Sequence, residues 1–322
     1  GEMTMKLTKT KTGKAVPRRR KNSLEWQSTW QLSLIAAPGI LWFLMFAYIP
    51  MFGLILAFKD FNYAQGILGS RWIGLDNFRF VFESNDAVRI FRNTVLYNAA
   101  FIVLDNILGI ACALALDSMS KKRHVKFYQT CLFLPYFISW VVVGYIMQAL
   151  CSHEFGLLNT LLKSLGLNGV QWYNETKPWP AIIIFAHLWK NVGFKTLVYY
   201  GSVIGIDNQL FEAAKIDGAT RWQTIYKIIL PLLKPTVIVM FILAIGNMMR
   251  ADFGLFYYVP NNTGILYEVT DVLDTYIYRT LKQLGDICGS SAVSAFQAIV
   301  GLVLVLLSNW AIRVIDEENA MF

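Results

Sequence analysis

Charge is scarce in this chain, and histidine and cysteine are scarcer. Asp, Glu, Lys and Arg together make up 16% of the 322 residues, well below the roughly 25% of an ordinary water-soluble domain. The three histidines, His124, His153 and His187, show no metal-ligand spacing with a carboxylate, and no nucleophile–base set accompanies them. That argues against a membrane-embedded metal hydrolase and leaves no metal site to expect. Four cysteines form no disulfide framework. Cys112 and Cys131 fall in apolar stretches as small hydrophobes. Cys151 and Cys288 fall near one predicted face, where a disulfide between them is one alternative and two free thiols the other. No Gly-x-x-x-x-Gly-Lys-[Ser/Thr] run occurs, which excludes nucleotide binding through a P-loop. Domain linkers and internal repeats are absent as well.

Hydrophobic residues fill this space: 56% of the chain, with a mean hydropathy of +0.45. Six stretches, at about 32–58, 94–117, 127–150, 179–204, 235–257 and 291–315, reach the ~20 apolar residues needed to cross a bilayer. Lipid forces backbone groups to pair within each segment, so the expected fold is all-α, a polytopic bundle of six transmembrane helices. Residues 1–31 carry Lys14, Arg18, Arg19, Arg20 and Lys21 ahead of a span too long for a signal-peptide core. They read as a solvated basic tail that touches anionic lipid headgroups, with no nucleic-acid partner expected. The rest, 32–322, is one six-span domain.

Basic residues orient it. The tail, the connection after the second span (Lys121, Lys122, Arg123, Lys126) and the one after the fourth (Lys215, Arg221, Lys227, Lys234) lie on one side. Lys59, Arg71, Arg79, Arg89, Arg92, Lys163, Lys177, Arg279 and Lys282 are spread over longer loops on the other. The positive-inside rule therefore places both termini in the cytoplasm. Of the outer loops, 151–178 reads as a short helix between turns. In 258–290, Val269, Val272, Leu273, Tyr276, Ile277, Leu281 and Leu284 recur at helical spacing, which predicts a helix lying on the membrane or against a partner.

The polar connection at about 205–235 has the clearest local signals. Asp207 or Asn208 caps a helix through Phe211, Glu212, Ala213, Ala214, Lys215 and Ile216, and Gly218 follows Asp217 where a left-handed stop belongs. Thr220-Arg221-Trp222-Gln223 fits a capping box that opens a second helix, which Pro231 and Pro235 bend or end. Ala213 and Ala214 leave room for another surface, and Glu212 offers it a charge.

Glu-Ala-Ala, three residues, Gly218, nine residues, then Ile228-x-Leu230-Pro231 resembles the EAA loop of ABC importer permeases of the maltose-transporter type. Tyr48-Ile49-Pro50-Met51-Phe52-Gly53, Trp72-Ile73-Gly74-Leu75-Asp76-Asn77-Phe78 and the run from Asp271 to Arg279 resemble its polysaccharide and complex-oligosaccharide (LplB-like) branch. One departure is Ile206-Asp207-Asn208, where relatives often place a proline at the helix start. The resemblance implies a transport subunit in a bacterial inner membrane that hydrolyses nothing itself. It further implies a second homologous permease, two ATP-binding subunits that hold ATP and Mg, and an extracytoplasmic solute-binding protein. In that reading Glu212, Ala213, Ala214, Asp217, Gly218 and Arg221 couple to the ATPase.

Polar groups inside spans mark a candidate substrate path. His187, Lys190, Asn191, Lys195 and Tyr199 follow helical spacing on the fourth span. Asn247 and Arg250 share a face of the fifth, where Gly246 and Gly254 permit close approach. Trp140 and Tyr145 on the third offer rings to a saccharide, and the resemblance implies a sugar site on these same helices. If Lys190, Lys195 and Arg250 line the path, they favour an anionic saccharide such as a uronic-acid oligomer. The plainer alternative has the lysines snorkelling or paired with Asp105. A second function class is an ion-coupled secondary transporter with Asp105 and the lysines as relay. It predicts inverted repeats or broken helices, which the sequence does not display.

Overall fold

Apolar length dictates the architecture. The computed structural model describes residues 23–315, and the chain divides into two bodies after Gly53. Helices long and apolar enough to cross a membrane are Trp30–Phe58, Asp86–Asp117, Trp179–Ile204, Arg221–Gly246 and Ile287–Val314, and Lys122–Phe137 with Trp140–Cys151 makes a sixth crossing bent by 94°. The six expected spans are there, with altered bounds.

In the first body, helix Ser23–Phe43 runs into a π turn at Leu44–Tyr48. Helix therefore begins within the stretch expected to be a solvated tail. Its basic run lies in residues 1–22, outside the described residues.

In the second body the second span starts earlier than hydropathy suggests, because Ser84 caps it through the Asp86 N–H at 3.2 Å and helix continues over Asn85–Asp117. The segment before it folds into a cap. Lys59–Asp60 pairs antiparallel with Arg71–Trp72. Lys59 is buried, donates to the Ile67 and Leu68 carbonyls at 2.8 and 2.9 Å, and lies over the Trp72 ring. Asn77 donates to the Ala57 and Lys59 carbonyls. The Trp72–Phe78 sequence is thus a local tertiary unit.

The segment between the last two spans packs much of its apolar stripe on the chain's own helices, whereas its spacing suggests a membrane or a partner. Helix Leu273–Lys282 packs inward: Leu273 joins Ile90, Met249 and Val293, and Tyr276 stacks on Phe80 at 4.2 Å. Val259, Leu266 and Val272 are fully buried, each worth ~1.5–3 kcal/mol if water is the alternative. The second span holds the segment's backbone through Asn93 to the Glu268 and Asp271 carbonyls, Thr94 from the Leu273 N–H, and Tyr97 to the Val269 carbonyl. The buried Asp271 carboxylate takes Arg279 at 2.6 Å and Thr275 at 2.9 Å, which explains why acid and base stand eight residues apart in that run. The short helix expected in 151–178 is Leu157–Ser164, and Asn159, fully buried, ties the loop together through the Val170 backbone and the Trp172 indole. Cys151 and Cys288 are both free, and the Cys288 sulfur accepts the Phe61 N–H. The disulfide alternative is not realised.

Candidate functional site

The connection after the fourth span folds as its caps require. Asp207 Oδ1 accepts the Gln209 N–H at 2.9 Å and starts helix Asn208–Ile216. The helix ends in a Schellman turn: Ala219 N–H reaches the Ala214 carbonyl at 2.9 Å, Gly218 N–H reaches Lys215 at 3.2 Å, and Gly218 sits at φ +72°. Thr220 and Gln223 then form the reciprocal capping box.

Past this point the structure corrects the expectation at the prolines. Arg221–Gly246 is one continuous helix through Pro231 and Pro235. A π turn at Ile225–Ile229 precedes Pro231. Its wider register accommodates the missing N–H and the ring of Pro231, while Pro235 lies within the α-helix that follows. The two-helix loop sits on an apolar floor of Val203, Ile229 and Leu233, packed by Phe211, Ile225 and Leu114.

Ala214 is buried and lines the groove described next, while Glu212, Ala213, Asp217, Gly218 and Arg221 are exposed. A groove of about 400 Å³ opens beside Asp217, Gly218 and Gln223. Around it Ile216, Trp222 and Tyr226 are 86%, 69% and 64% exposed, with the last two rings stacked. These apolar groups stay uncovered although the element that carries them is ordered.

The second feature is a junction where two spans break. The third unwinds between the turn Leu134–Phe137 and helix Trp140–Cys151, which Ser139 caps. The fifth ends at Gly246, and helix resumes only at Phe253–Tyr258, capped by Asp252. Unwound backbone at membrane depth needs internal partners, and each break has them. The Lys190 ammonium of the fourth span donates to the Pro135 carbonyl at 3.4 Å, to Tyr136 at 2.7 Å and to Ile138. It also lies over the Tyr136 and Trp140 rings. At the other break, Asn98 donates to the Met248 carbonyl, Gln297 to the Met249 carbonyl, and the Ala251 N–H donates to Asp274 at 2.7 Å. Trp140 Nε1–H donates to Asp252 Oδ2 at 2.6 Å and joins the two breaks. A Cβ on Gly254 would come within 2.3 Å of that indole, so the close approach expected of this glycine is real.

The candidate path residues therefore divide. Trp140 is half-buried at the junction and Tyr145 is exposed on the helix beyond it. Lys190 is a buried carbonyl clamp and faces the third span, so it does not share a face with the others. His187 bonds Asp105 at 3.1 Å and stacks on Phe101, with Asn191 against its other nitrogen. His187 is thus the hydrogen-bonded partner of Asp105, while Lys195 attracts the same carboxylate electrostatically. Tyr199 is fully buried and donates to Asn106, which removes it from any open path. Asn247 and Arg250 are exposed but lie beyond the helix end, so they share no helical face.

Asn98, Asp252, Asp274 and Gln297 were not singled out from sequence. Pro135, Ser139 and the Asp252 cap are signals that would have located the breaks. Burial raises the Asp274 carboxyl above the usual carboxylate range, against the Ala251 N–H, Gln297 and the Arg250 charge. A raised folded-state value means that its contribution to stability is full at acid pH. That contribution is lost as pH rises through the carboxylate range toward the raised value. Asp274→Asn keeps an acceptor for Ala251, so its melting temperature, followed from acid to neutral pH, is expected to fall less steeply than that of the wild type.

A multi-span chain with broken crossings and an ordered polar loop has the architecture of a membrane transport protein. The chain belongs to the family of binding-protein-dependent transport system inner membrane components, whose model matches residues 105–319. It is 34% identical over 288 residues, 89% of each chain, to the polygalacturonan/rhamnogalacturonan transport system permease protein YteP of Bacillus subtilis (strain 168). To Protein LplB of the same organism it is 31% identical over 288 residues, 89% of this chain and 90% of the relative.

Its structure is similar to the crystal structure of a bacterial ABC transporter involved in the import of the acidic polysaccharide alginate. The TM-score is 0.82 at 33% identity, covering 91% of this chain and 98% of the other. A second match is the alginate transporter in complex with an alginate pentasaccharide-bound periplasmic protein, with a TM-score of 0.81 at 32% identity, covering 91% and 97%. The chain is therefore an ABC importer permease and not an enzyme. The broken helices and the Asp105–His187 pair would also suit an ion-coupled carrier, and it is family membership that assigns the chain to the binding-protein-dependent class.

Proposed function

We propose that this chain is one membrane half of an ATP-driven importer of a uronic-acid-containing oligo- or polysaccharide. A second homologous permease completes the pathway. Two ATP-binding subunits, which hold ATP and its Mg, dock on the loop at 207–229. Both termini and that loop face the bacterial cytoplasm, and a solute-binding protein delivers saccharide on the other face. The observation that carries the reading is the coupling loop, ordered by two caps and a Schellman turn yet exposing Glu212, Ile216, Trp222 and Tyr226. Because Arg221–Gly246 is one helix, roughly 39 Å long at 1.5 Å per residue, displacement of the loop passes directly to the broken fifth span. Closure of the ATPase dimer would then rearrange the junction and open it toward the binding protein.

The acidic substrates named for relatives support the anionic class. Among the three intramembrane cations proposed for it, Lys190 is committed to carbonyls and Lys195 faces Asp105. Arg250, exposed at the break although its charge also acts on Asp274, is the most accessible of the three to a substrate carboxylate. The test is ATP hydrolysis by the reconstituted complex with matched acidic and neutral oligosaccharides. Stimulation by the acidic set is expected. Stimulation by neutral sugars alone removes the anionic class, and no response to either set removes the saccharide reading.

A further inference from the structure

We propose that a cleft between Trp140–Cys151 and Phe253–Tyr258 is a saccharide subsite that takes the uncharged face of a pyranose ring. The inference rests on the saccharide-importer reading and adds Gln148, Tyr257, Tyr258 and Asn261 to a path in which only Tyr145 was expected. The cleft holds about 230 Å³, room for one sugar ring, and Tyr145, Gln148, Tyr257, Tyr258 and Asn261 converge on it. Its floor is close-packed: a Cβ on Gly144 would lie 2.7 Å from the Tyr258 carbonyl oxygen. Phe253 and Tyr278 extend the aromatic surface, with Tyr257–Tyr278 and Phe253–Tyr278 ring separations of 5.3 and 4.8 Å.

Three phenol rings and two carboxamides in one concavity form a recognition set with a definite chemistry. The apolar C–H face of a pyranose lies against aromatic faces. An amide both donates and accepts, which matches hydroxyl groups that do the same. The Asn261 amide is set by backbone that Asn tolerates and most residues do not, with Asn261 and Asn262 at φ +53° and +46°. That turn is held by the Asn261 and Asn262 N–H groups on the Tyr258 and Tyr257 carbonyls and by the Tyr267 hydroxyl on Asn262.

Location supplies an independent argument. Both walls of the cleft are the helices that restart after the two breaks, and the Trp140–Asp252 bond joins their starts. Unwound backbone within spans occurs where it is buried in protein or lines a cavity, and in transporters such breaks border the substrate site. Tyrosines of an interfacial belt would also sit at helix ends, but a belt has no need of a concave site lined by two carboxamide residues. The lining contains no Asp, Glu, Lys or Arg. The cleft therefore reads ring faces and hydroxyls without regard to a carboxylate.

The test uses the complete transporter in nanodiscs, with oligogalacturonides and their carboxyl-reduced, neutral counterparts as probes, and binding read by saturation-transfer NMR. Tyr145→Ala and Tyr257→Ala are expected to raise the half-saturating concentration about five- to tenfold for both probes. The melting temperature of Tyr145→Ala, a change at an exposed position, should be unchanged, and Tyr145→Phe, which keeps the ring, should stay near wild type. Unchanged binding in both alanine variants overturns the subsite while leaving the importer reading intact. Loss confined to the acidic probe overturns the uncharged-face assignment. Binding of neither probe by the wild-type complex overturns the subsite together with the reading on which it rests.

Discussion

Valine in place of Gly218 is expected to reduce saccharide-stimulated ATP hydrolysis and uptake about tenfold. The reason is confined to the backbone. Gly218 holds φ +72°, and a side chain added there would meet nothing within 4 Å. No packing therefore opposes substitution, but the left-handed region does, at ~1–2 kcal/mol for an L-residue and more for a β-branched one. A penalty of that size shifts the population of the correct turn by about 5- to 30-fold. The turn sets the angle between helix Asn208–Ile216 and the helix opened by Thr220, and so the presentation of Glu212 and Ile216 beside Trp222 and Tyr226. Asparagine tolerates the left-handed conformation, so Gly218→Asn should remain close to wild type. Co-purification of the ATP-binding subunits and stimulated hydrolysis, measured on both variants, check this. Equal, wild-type behaviour of the valine variant would show that the turn does not transmit the coupling.

Lys190→Met is expected to destabilise the chain by at least ~3 kcal/mol, seen as a lower melting temperature and poor recovery of the assembled complex. Lys190 satisfies carbonyls at the break of the third span, and each buried acceptor left without a donor costs ~1–3 kcal/mol. Lys190→Arg keeps donors and a positive charge at the site, though a planar fork fits three convergent carbonyls less well than an ammonium. It should therefore recover part of the loss. Should Lys190→Met melt like the wild type while losing uptake of acidic saccharides alone, the lysine would be a substrate contact and the clamp assignment would fail.

The coupling loop was legible because its determinants are local. Asp207, the Thr220–Gln223 box and the Gly218 stop all act over two to five residues, and the structure realises each of them. The number of crossings was legible for a similar reason, since hydropathy sums over a window of a bilayer's thickness. The same averaging concealed the breaks. Gly246, Asn247 and Asp252 disappear into an apolar mean, and Pro135 next to Ser139 looks like an ordinary kink signal. Pro231 misled in the other direction, because a π turn one register upstream lets the helix continue through it. The amphipathic spacing around Leu273 correctly indicated a helix but not its partner, since an apolar stripe packs equally well on lipid, on another subunit or on its own chain.

The sequence by itself determined that this chain crosses a membrane six times, that it carries a polar two-helix loop, and that it has no P-loop of its own. These follow from apolar length, short-range capping and composition, none of which depends on distant residues. Only the tertiary structure decided which intramembrane polar groups hold the fold and which are free. Lys190 finds its carbonyls more than fifty residues away, His187 finds Asp105 on the second span, and Trp140 finds Asp252 across two breaks. A buried charge or amide is defined by its partner, and pairing over such distances in the chain is settled by how the helices pack.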